Sequence, residues 1–248
     1  MTIPRFYVPQ PWPGKQIPLP EKASHHAMRV LRMRSGDRAE IFDGAGRCLA
    51  GRMQFSGQGS VFAVQSEITE NRESPLEMTL AQSWVSAEKL DWIVEKAVEV
   101  GARRLLLFPG ERSVTRLEGS KLDKRLQKLR SAATSACEQC GRSFIPEIEA
   151  FGDLRSCLAS VRAERRYILA PSSSRNAWDG PVRSVAFAVG PEGGFSPEEM
   201  EIAAEAGWAA CLLGPRILRT ETAGIVALAT ANALAGDYRP ASDASPGK

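Results

Sequence analysis

Two loops in the last third of the chain hold the residues best placed to do chemistry: VGPEGGFSPEE (Val189 to Glu199) and LLGPRILRTETA (Leu212 to Ala223). Each links an apolar run to a helix start. Ser196, Pro197 and Glu199 have the spacing of a capping box, with serine at the N-cap, proline in the first turn and glutamate three residues on. In the second loop Thr220 is the candidate N-cap of a helix that continues apolar through Gly224 to Ala229. Loops at the same end of neighbouring strands, each feeding a helix, form the crevice where α/β proteins bind ligands. Gly190, Gly193 and Gly194 let main chain approach a ligand or take positive φ, although Gly193-Gly194 alone also reads as a tight turn. Helix N-termini suit phosphate, yet the loop lacks a P-loop lysine, the chain has no G-x-G-x-x-G, and Glu192 would repel a polyphosphate. A ligand with hydroxyls, an adenine edge and a cationic centre suits it better. Glu198 and Glu199 read as helix-start charges.

The elements that must position these loops alternate strand and helix. Strands are expected at Leu76 to Val85, Arg104 to Phe108, Arg166 to Ala170, Ser184 to Val189 and Ala209 to Leu213, with helices at Ala87 to Val100, Ser120 to Cys140 and Thr220 to Ala235. Leu90, Ile93, Val94, Ala97 and Val98 give the first helix one apolar face, and Gly101 caps it. The order implies a mostly parallel sheet covered by helices, and physics alone favours an unknotted doubly wound one. Before it, residues 1 to 70 read as a small β-rich module. Its strands are Arg5 to Val8, Arg38 to Phe42, Cys48 to Phe55 and Ser60 to Ile68, with one helix at Ser24 to Met33 and a proline-rich loop between Pro9 and Pro20. Glu70 to Pro75 is the expected linker, and the polar tail from Ala241 to Lys248 is expected to be disordered.

The 248 residues, 43% hydrophobic and 25% charged, describe an ordinary globular protein. The longest apolar run, Ile225 to Ala235, is too short to span a bilayer. Met1-Thr-Ile-Pro-Arg-Phe has no apolar signal region, and five scattered cysteines fit a reducing compartment, so a cytoplasmic protein is expected. Charge is uneven despite a net +3. Nine Lys or Arg lie between Arg103 and Arg130 against three acids, and Arg29, Arg32, Arg34 and Arg38 form a second cluster. Either patch is compatible with a solvated face; together they favour a polyanionic partner.

Other motifs carry little. Cys137 and Cys140 form a C-x-x-C without the further ligands of a zinc site. His25 and His26 are the only histidines, and adjacent helical residues diverge too far to share a metal. No metal is expected, and no G-x-S-x-G accompanies the histidines. Glu138, Gln139 and Arg142 at the end of the long helix read equally as a helix-end salt bridge and cap or as a functional set. Arg112, on a short loop after a strand, is a plausible ligand-facing arginine.

GPEGGFSPEE and LGPRILRTETA, together with HHAMRVLRMRSGD (His25 to Asp37), EKLDWIVEKAVEVG (Glu88 to Gly101), ERSV (Glu111 to Val114) and EQCGRSFIPEI (Glu138 to Ile148), resemble the 16S ribosomal RNA uridine-N3 methyltransferases of the SPOUT, or trefoil-knot, superfamily. The similarity runs through nearly the whole chain in the family's order. It implies a PUA-like β-barrel that grips RNA over residues 1–70 and a knotted α/β methyltransferase domain over 75–240. The implied cofactor is S-adenosyl-L-methionine, held by Leu169, Ala170, Gly190, Pro191, Glu192, Gly193, Gly194, Leu213, Gly214, Ile217, Leu218, Thr222 and Ala223. The implied substrate is 16S ribosomal RNA of the small subunit, met by Arg5, His26, Arg29, Arg32, Arg34, Arg112 and Arg142. Arg219 or Arg112 would stabilise the charge that develops on the uracil oxygens, and Glu221 or a water would accept the N3 proton. One departure is Leu126, where family members often carry tryptophan after the arginine.

Two alternatives remain at this level: a non-enzymatic RNA-binding module, which need not bind the cofactor, and methylation of another nucleotide or of transfer RNA. A homodimer is also expected. The last helix is apolar nearly all round with little chain left to cover it, its alanines at 227, 229, 231 and 233 allow close approach, and the resemblance implies pairing through the knotted domain.

Overall fold

Apolar residues at alternating and continuous spacing build the hydrophobic cores of the chain. The computed structural model describes residues 3–56, 59–171, 173 and 182–238. It divides the chain into unit 1, Met1–Glu73 with Thr134–Ile145, and unit 2, Ser74–Ala133 with Pro146–Lys248. The tail expected to be disordered lies outside the described residues.

Unit 1 contains β1 (Arg5–Tyr7), β2 (Gln16–Pro18), α1 (Glu21–His25), β3 (Arg38–Phe42), β4 (Cys48–Ser56) and β5 (Gly59–Ile68). They form a five-stranded sheet of order β1-β3-β4-β5-β2, parallel only between β1 and β3. Phe6, Ile17, Ile41, Met53 and Phe62 fill its core. β2 lies inside the proline-rich stretch read as loop; it is an edge strand, where a missing N–H costs no ladder bond.

The helix expected over Ser24 to Met33 is different. α1 ends at His25, a π-helical turn follows over His26–Val30, and Arg32 takes a left-handed φ of 52°. Arg29, Arg32 and Arg34 are therefore exposed but do not share one helical face. Arg34 belongs to the next turn, where its N–H donates to Asp37 Oδ2 at 2.7 Å.

Unit 2 contains β6 (Glu77–Ser83), α2 (Ala87–Glu99), β7 (Arg104–Phe108), the first part of α3 (Gly119–Cys140), β8 (Glu147–Ala150), α4 (Leu154–Ser160), β9 (Arg165–Leu169), β10 (Ser184–Val189), α5 (Pro197–Glu205), β11 (Ala209–Cys211) and α6 (Thr220–Ala235). The six strands are all parallel in the order β11-β9-β10-β6-β7-β8. The chain steps outward through β6, β7 and β8, then returns to lay β9 two places from β6. β10 fills the gap between them, so the carboxyl ends of β9, β10 and β11 open at one end beside that of β6. This is not the doubly wound order that pattern alone favours. β8 and α4 were also not anticipated. In β8 alternating glutamates mask the strand, while α4 carries a readable start, Asp153 accepting from Ser156 N at 2.7 Å.

α6 lies against α2, β6 and β10. Ala227, Leu228 and Ala231 are fully buried within the chain's own core, so Ala231 does not lie on an outward face. Ile225, Val226 and Ala229 are half-buried, and Leu234 is exposed. Gly224 lets the helix sit close, since a Cβ there would lie 3.0 Å from Leu80 Cδ1. Buried Asn232 pins the other end: its Nδ2 donates to Val100 O (3.3 Å), and its Oδ1 accepts from Ser74 Oγ (2.9 Å) and Asp237 N (3.0 Å). Asn232→Ala strands these buried groups and should cost about 2 kcal/mol, read as a lower urea midpoint with unchanged slope; a midpoint within error of wild type would refute this role.

Candidate active site

A cavity of about 650 Å³ opens where β9, β10 and β11 end. Its walls include Leu169, Ala170, Gly190, Pro191, Glu192, Gly193, Gly194, Leu213, Ile217, Leu218 and Ala223, together with Arg219 and Glu221. The two loops singled out in the sequence thus meet the exit of β9, at Leu169 and Ala170, at one place. Gly214 and Thr222 are not in the wall. Gly214 takes φ 74° in the turn behind it. Lys89 and Met200, which sequence reasoning passed over, also line the cavity, as do Phe195 and Arg216 from within the two loops. Lys89 was read only as part of a helix start, and nothing local shows that α2 begins beside the two loops.

Polar contacts hold the loops. The capping box forms as expected: Glu199 N donates to Ser196 Oγ (3.2 Å) and Ser196 N to Glu199 Oε2 (2.9 Å). The other oxygen of this buried carboxylate accepts from Glu111 N at 3.0 Å, so Glu199 also fastens the loop bearing Arg112. Arg112 is outside the cavity wall, but its Nη1 donates to Gly193 O at 2.9 Å. A Cβ on Gly193 would lie 3.0 Å from Arg112 Cβ, and Gly194 takes φ 69°. Crowding by Arg112 and positive φ are why two glycines stand here.

Thr220 is not the N-cap. Arg219 holds that position without a side-chain cap bond. The Thr220 hydroxyl instead donates to Gly190 O at 2.6 Å and accepts from Gln82 Nε2 at 3.0 Å. Gln82, 1% exposed, therefore ties the end of β6 to both loops. Its apolar neighbours hid it in the sequence.

Charge gathers at one side. Lys89 Nζ donates to Glu192 Oε1 at 2.8 Å and lies 3.6 Å from Glu221 Oε2. The hydrogen bond with Glu192 raises the Lys89 ammonium above its ordinary pKa and lowers the Glu192 carboxyl below its own. Glu221 Oε2 is buried and accepts no hydrogen bond. The wall therefore offers main chain, apolar side chains and the charged groups of Lys89, Glu192, Arg216, Arg219 and Glu221.

Residues 72–232 match the family described as "RNA methyltransferase domain", and residues 19–50 match "RNA methyltransferase PUA domain". Ribosomal RNA small subunit methyltransferase E of Buchnera aphidicola (strain APS) is 30% identical over 246 residues, 96% of each chain. The chain belongs to the small-subunit ribosomal RNA methyltransferase E family. The Neisseria gonorrhoeae member, solved with S-adenosylmethionine bound, is 34% identical with a TM-score of 0.88, covering 96% of this chain and all of that one. A Legionella pneumophila methyltransferase, also solved with the cofactor, is 32% identical with a TM-score of 0.90 over the same shares.

Glu138, Gln139 and Arg142 lie in unit 1. Glu138 Oε1 accepts from Tyr7 N at 3.0 Å, and burial raises its carboxyl pKa. Arg142, 4% exposed, donates from Nε (2.9 Å) and Nη2 (2.7 Å) to Glu73 Oε2, whose other oxygen accepts from Ser143 N and Phe144 N. Arg5 is buried too, bonding Glu40 (2.9 Å), Arg142 O and Ser143 Oγ. Arg5 and Arg142, expected to meet RNA, thus turn inward, because a buried guanidinium needs carboxylate and carbonyl partners. His25 and His26 are exposed, and His26 sets its ring edge-on to Phe6.

Within the basic stretch of unit 2, Arg104 pairs with Glu147 and Glu149, and Arg125 and Lys128 pair with Asp91. Half-buried Leu126 follows Arg125. The cysteines are free thiols, and burial pushes Cys137 up to about 12. Among the described residues no three His, Cys, Asp or Glu gather as a metal site.

Thr220→Val keeps the shape and removes both hydroxyl bonds. It should cost about 1–3 kcal/mol and speed amide exchange in residues 190–195 selectively. Exchange at the wild-type rate there would remove Thr220 as the tie between the loops.

Proposed function

We propose that this chain transfers the methyl group of S-adenosylmethionine to N3 of a uridine in the 16S ribosomal RNA of the small subunit. The observation that carries the reading is the cavity itself, in which main chain from three strand exits meets Arg219 and Glu221 at the start of α6. The residues fit this cofactor. The cavity has the volume of a small-molecule site, main chain and apolar side chains make much of its wall, and the Glu192 and Glu221 carboxylates can face a cationic centre, with Glu221 Oε2 accepting no hydrogen bond. Leu169, Ala170, Gly190 to Gly194, Leu213, Ile217, Leu218 and Ala223 would hold it, and behind the wall Gly214 and Thr222 shape the turn and helix start. When bound, the cofactor supplies an electrophilic methyl on a positively charged sulfur.

The chain's own residues handle the rest. Uracil N3 must lose its proton, which leaves negative charge on N3 and the two carbonyl oxygens. Glu221 accepts that proton directly or through water. Arg219, with Arg112 beside the Gly193 carbonyl, stabilises the charge. Residues 1–70 grip the RNA through exposed Arg29, Arg32, Arg34 and His26, while 75–240 carry the chemistry; Arg5 and Arg142 contribute by shaping that grip. The trefoil knot belongs to this reading, supported by the insertion of β10 between β9 and β6. A cytoplasmic site is supported by the free thiols, and no helix among the described residues is long and apolar enough to cross a membrane.

Incubation of small-subunit RNA or assembled subunits with labelled cofactor, followed by nucleoside mass spectrometry, should yield 3-methyluridine. Arg219→Ala and Glu221→Gln should each lower turnover by about 10²-fold or more with cofactor affinity changed far less. Neutralising Arg29, Arg32 and Arg34 should flatten the salt dependence of RNA binding. Label on another nucleoside, or none with either substrate, would reject the reaction.

The active form is a symmetric dimer in this reading, supported by Ile225, Val226, Ala229 and Leu234 on the outward side of α6. Sedimentation at micromolar concentration should give a dimer; a fully active monomer would rule this out.

A further inference from the structure

Among the described residues, five charged side chains border the cavity: Lys89, Glu192, Arg216, Arg219 and Glu221. Of these five, cations outnumber carboxylates by one, and without Lys89 the two would balance. Lys89 touches both carboxylates, at 2.8 Å and 3.6 Å. Its side chain and that of Glu192 are partly exposed, 30% and 48%, whereas Glu221 is 18% exposed. The pair with Glu192 is thus a weak surface ion pair, whereas the field at Glu221 is less hydrated and reaches further.

Methyl transfer changes one formal charge at the sulfur. The carbon–sulfur bond breaks with its electron pair left on sulfur, the carbon–N3 bond forms, and the N3 proton leaves. The cationic sulfonium becomes a neutral thioether, S-adenosylhomocysteine, with the adenosine and amino-acid ends unaltered. A charged side chain in the wall therefore acts on the difference between reactant and product affinity, whereas shape and hydrogen bonding act on both alike.

We infer that Lys89 sets the discrimination between the charged cofactor and its neutral product, by screening the Glu192 and Glu221 carboxylates that would otherwise favour the sulfonium. This rests on the proposed methyltransferase reading and adds a residue to it. With Lys89 present, the site holds the two ligands more evenly. With a neutral side chain of similar length, the unscreened carboxylates strengthen the hold on the sulfonium alone.

Calorimetric titration of the full chain with S-adenosylmethionine and, separately, S-adenosylhomocysteine measures the ratio of the two dissociation constants without turnover. In Lys89→Met the ratio should move about five- to tenfold toward the cofactor, the scale of one unit charge acting over several ångströms in partly hydrated protein. Lys89→Arg should keep the wild-type ratio. Raising the ionic strength should shrink the difference between the Met and wild-type proteins. Equal weakening of both ligands in Lys89→Met would mean a latch that only shapes the loop and would overturn the inference, as would an unchanged ratio or an equal shift in Lys89→Arg. Wild-type protein that binds neither ligand would instead overturn the methyltransferase reading, and this inference with it.

Discussion

One buried hydroxyl joins the strand ends that build the cavity. Thr220 stands at the first residue of α6, gives its proton to Gly190 O and receives one from Gln82. Three segments far apart in sequence thereby share one buried point: the end of β6, the exit of β10 and the start of α6. A backbone carbonyl left without a donor in such a place loses the value of a full hydrogen bond and pays its desolvation as well. The two loops are therefore not independent walls of a cavity. The polar wall at Gly190 and the start of α6, with Glu221 on it, move together or not at all.

A second tie works from the outside. Glu199 caps its own helix with one oxygen and holds Glu111 N with the other, which brings Arg112 against Gly193 O. Pre-organised dipoles and charges are useful in group transfer because they need not rearrange as charge develops. Here the arrangement is secured by the buried Glu199 carboxylate, whose two oxygens both accept hydrogen bonds, while Glu221 Oε2 in the cavity wall accepts none.

The parts of this design that were legible in the sequence are the local ones. Glycine, proline and Ser-x-x-Glu spacing named both loops and the α5 cap, and strand and helix ends agreed within about two residues for most elements of unit 2. Long-range partners left no such trace. Gln82 looks like an isolated polar residue in an apolar strand, and only its separation of 138 positions from Thr220 in the hydrogen bond explains it. Thr220 itself fits an N-cap by pattern, yet its hydroxyl found a stronger use. The break in the helix near His26 was hidden because a π-helical turn uses the same residue types as an α-helix. Likewise, Arg5 and Arg142 looked like surface cations because nothing in sequence reveals the carboxylates, Glu40 and Glu73, that draw them inside.

The Glu73 carboxylate takes four donors, from Arg142 and from the Ser143 and Phe144 N–H groups. Separating such a buried pair costs about 3–5 kcal/mol, a large share of what a small domain has. The first unit is thus completed by twelve residues borrowed from the middle of the chain. A gene segment ending at residue 73 would carry a sheet whose inner charges had lost their partners. A cut at residue 73 would therefore not release a self-sufficient first unit.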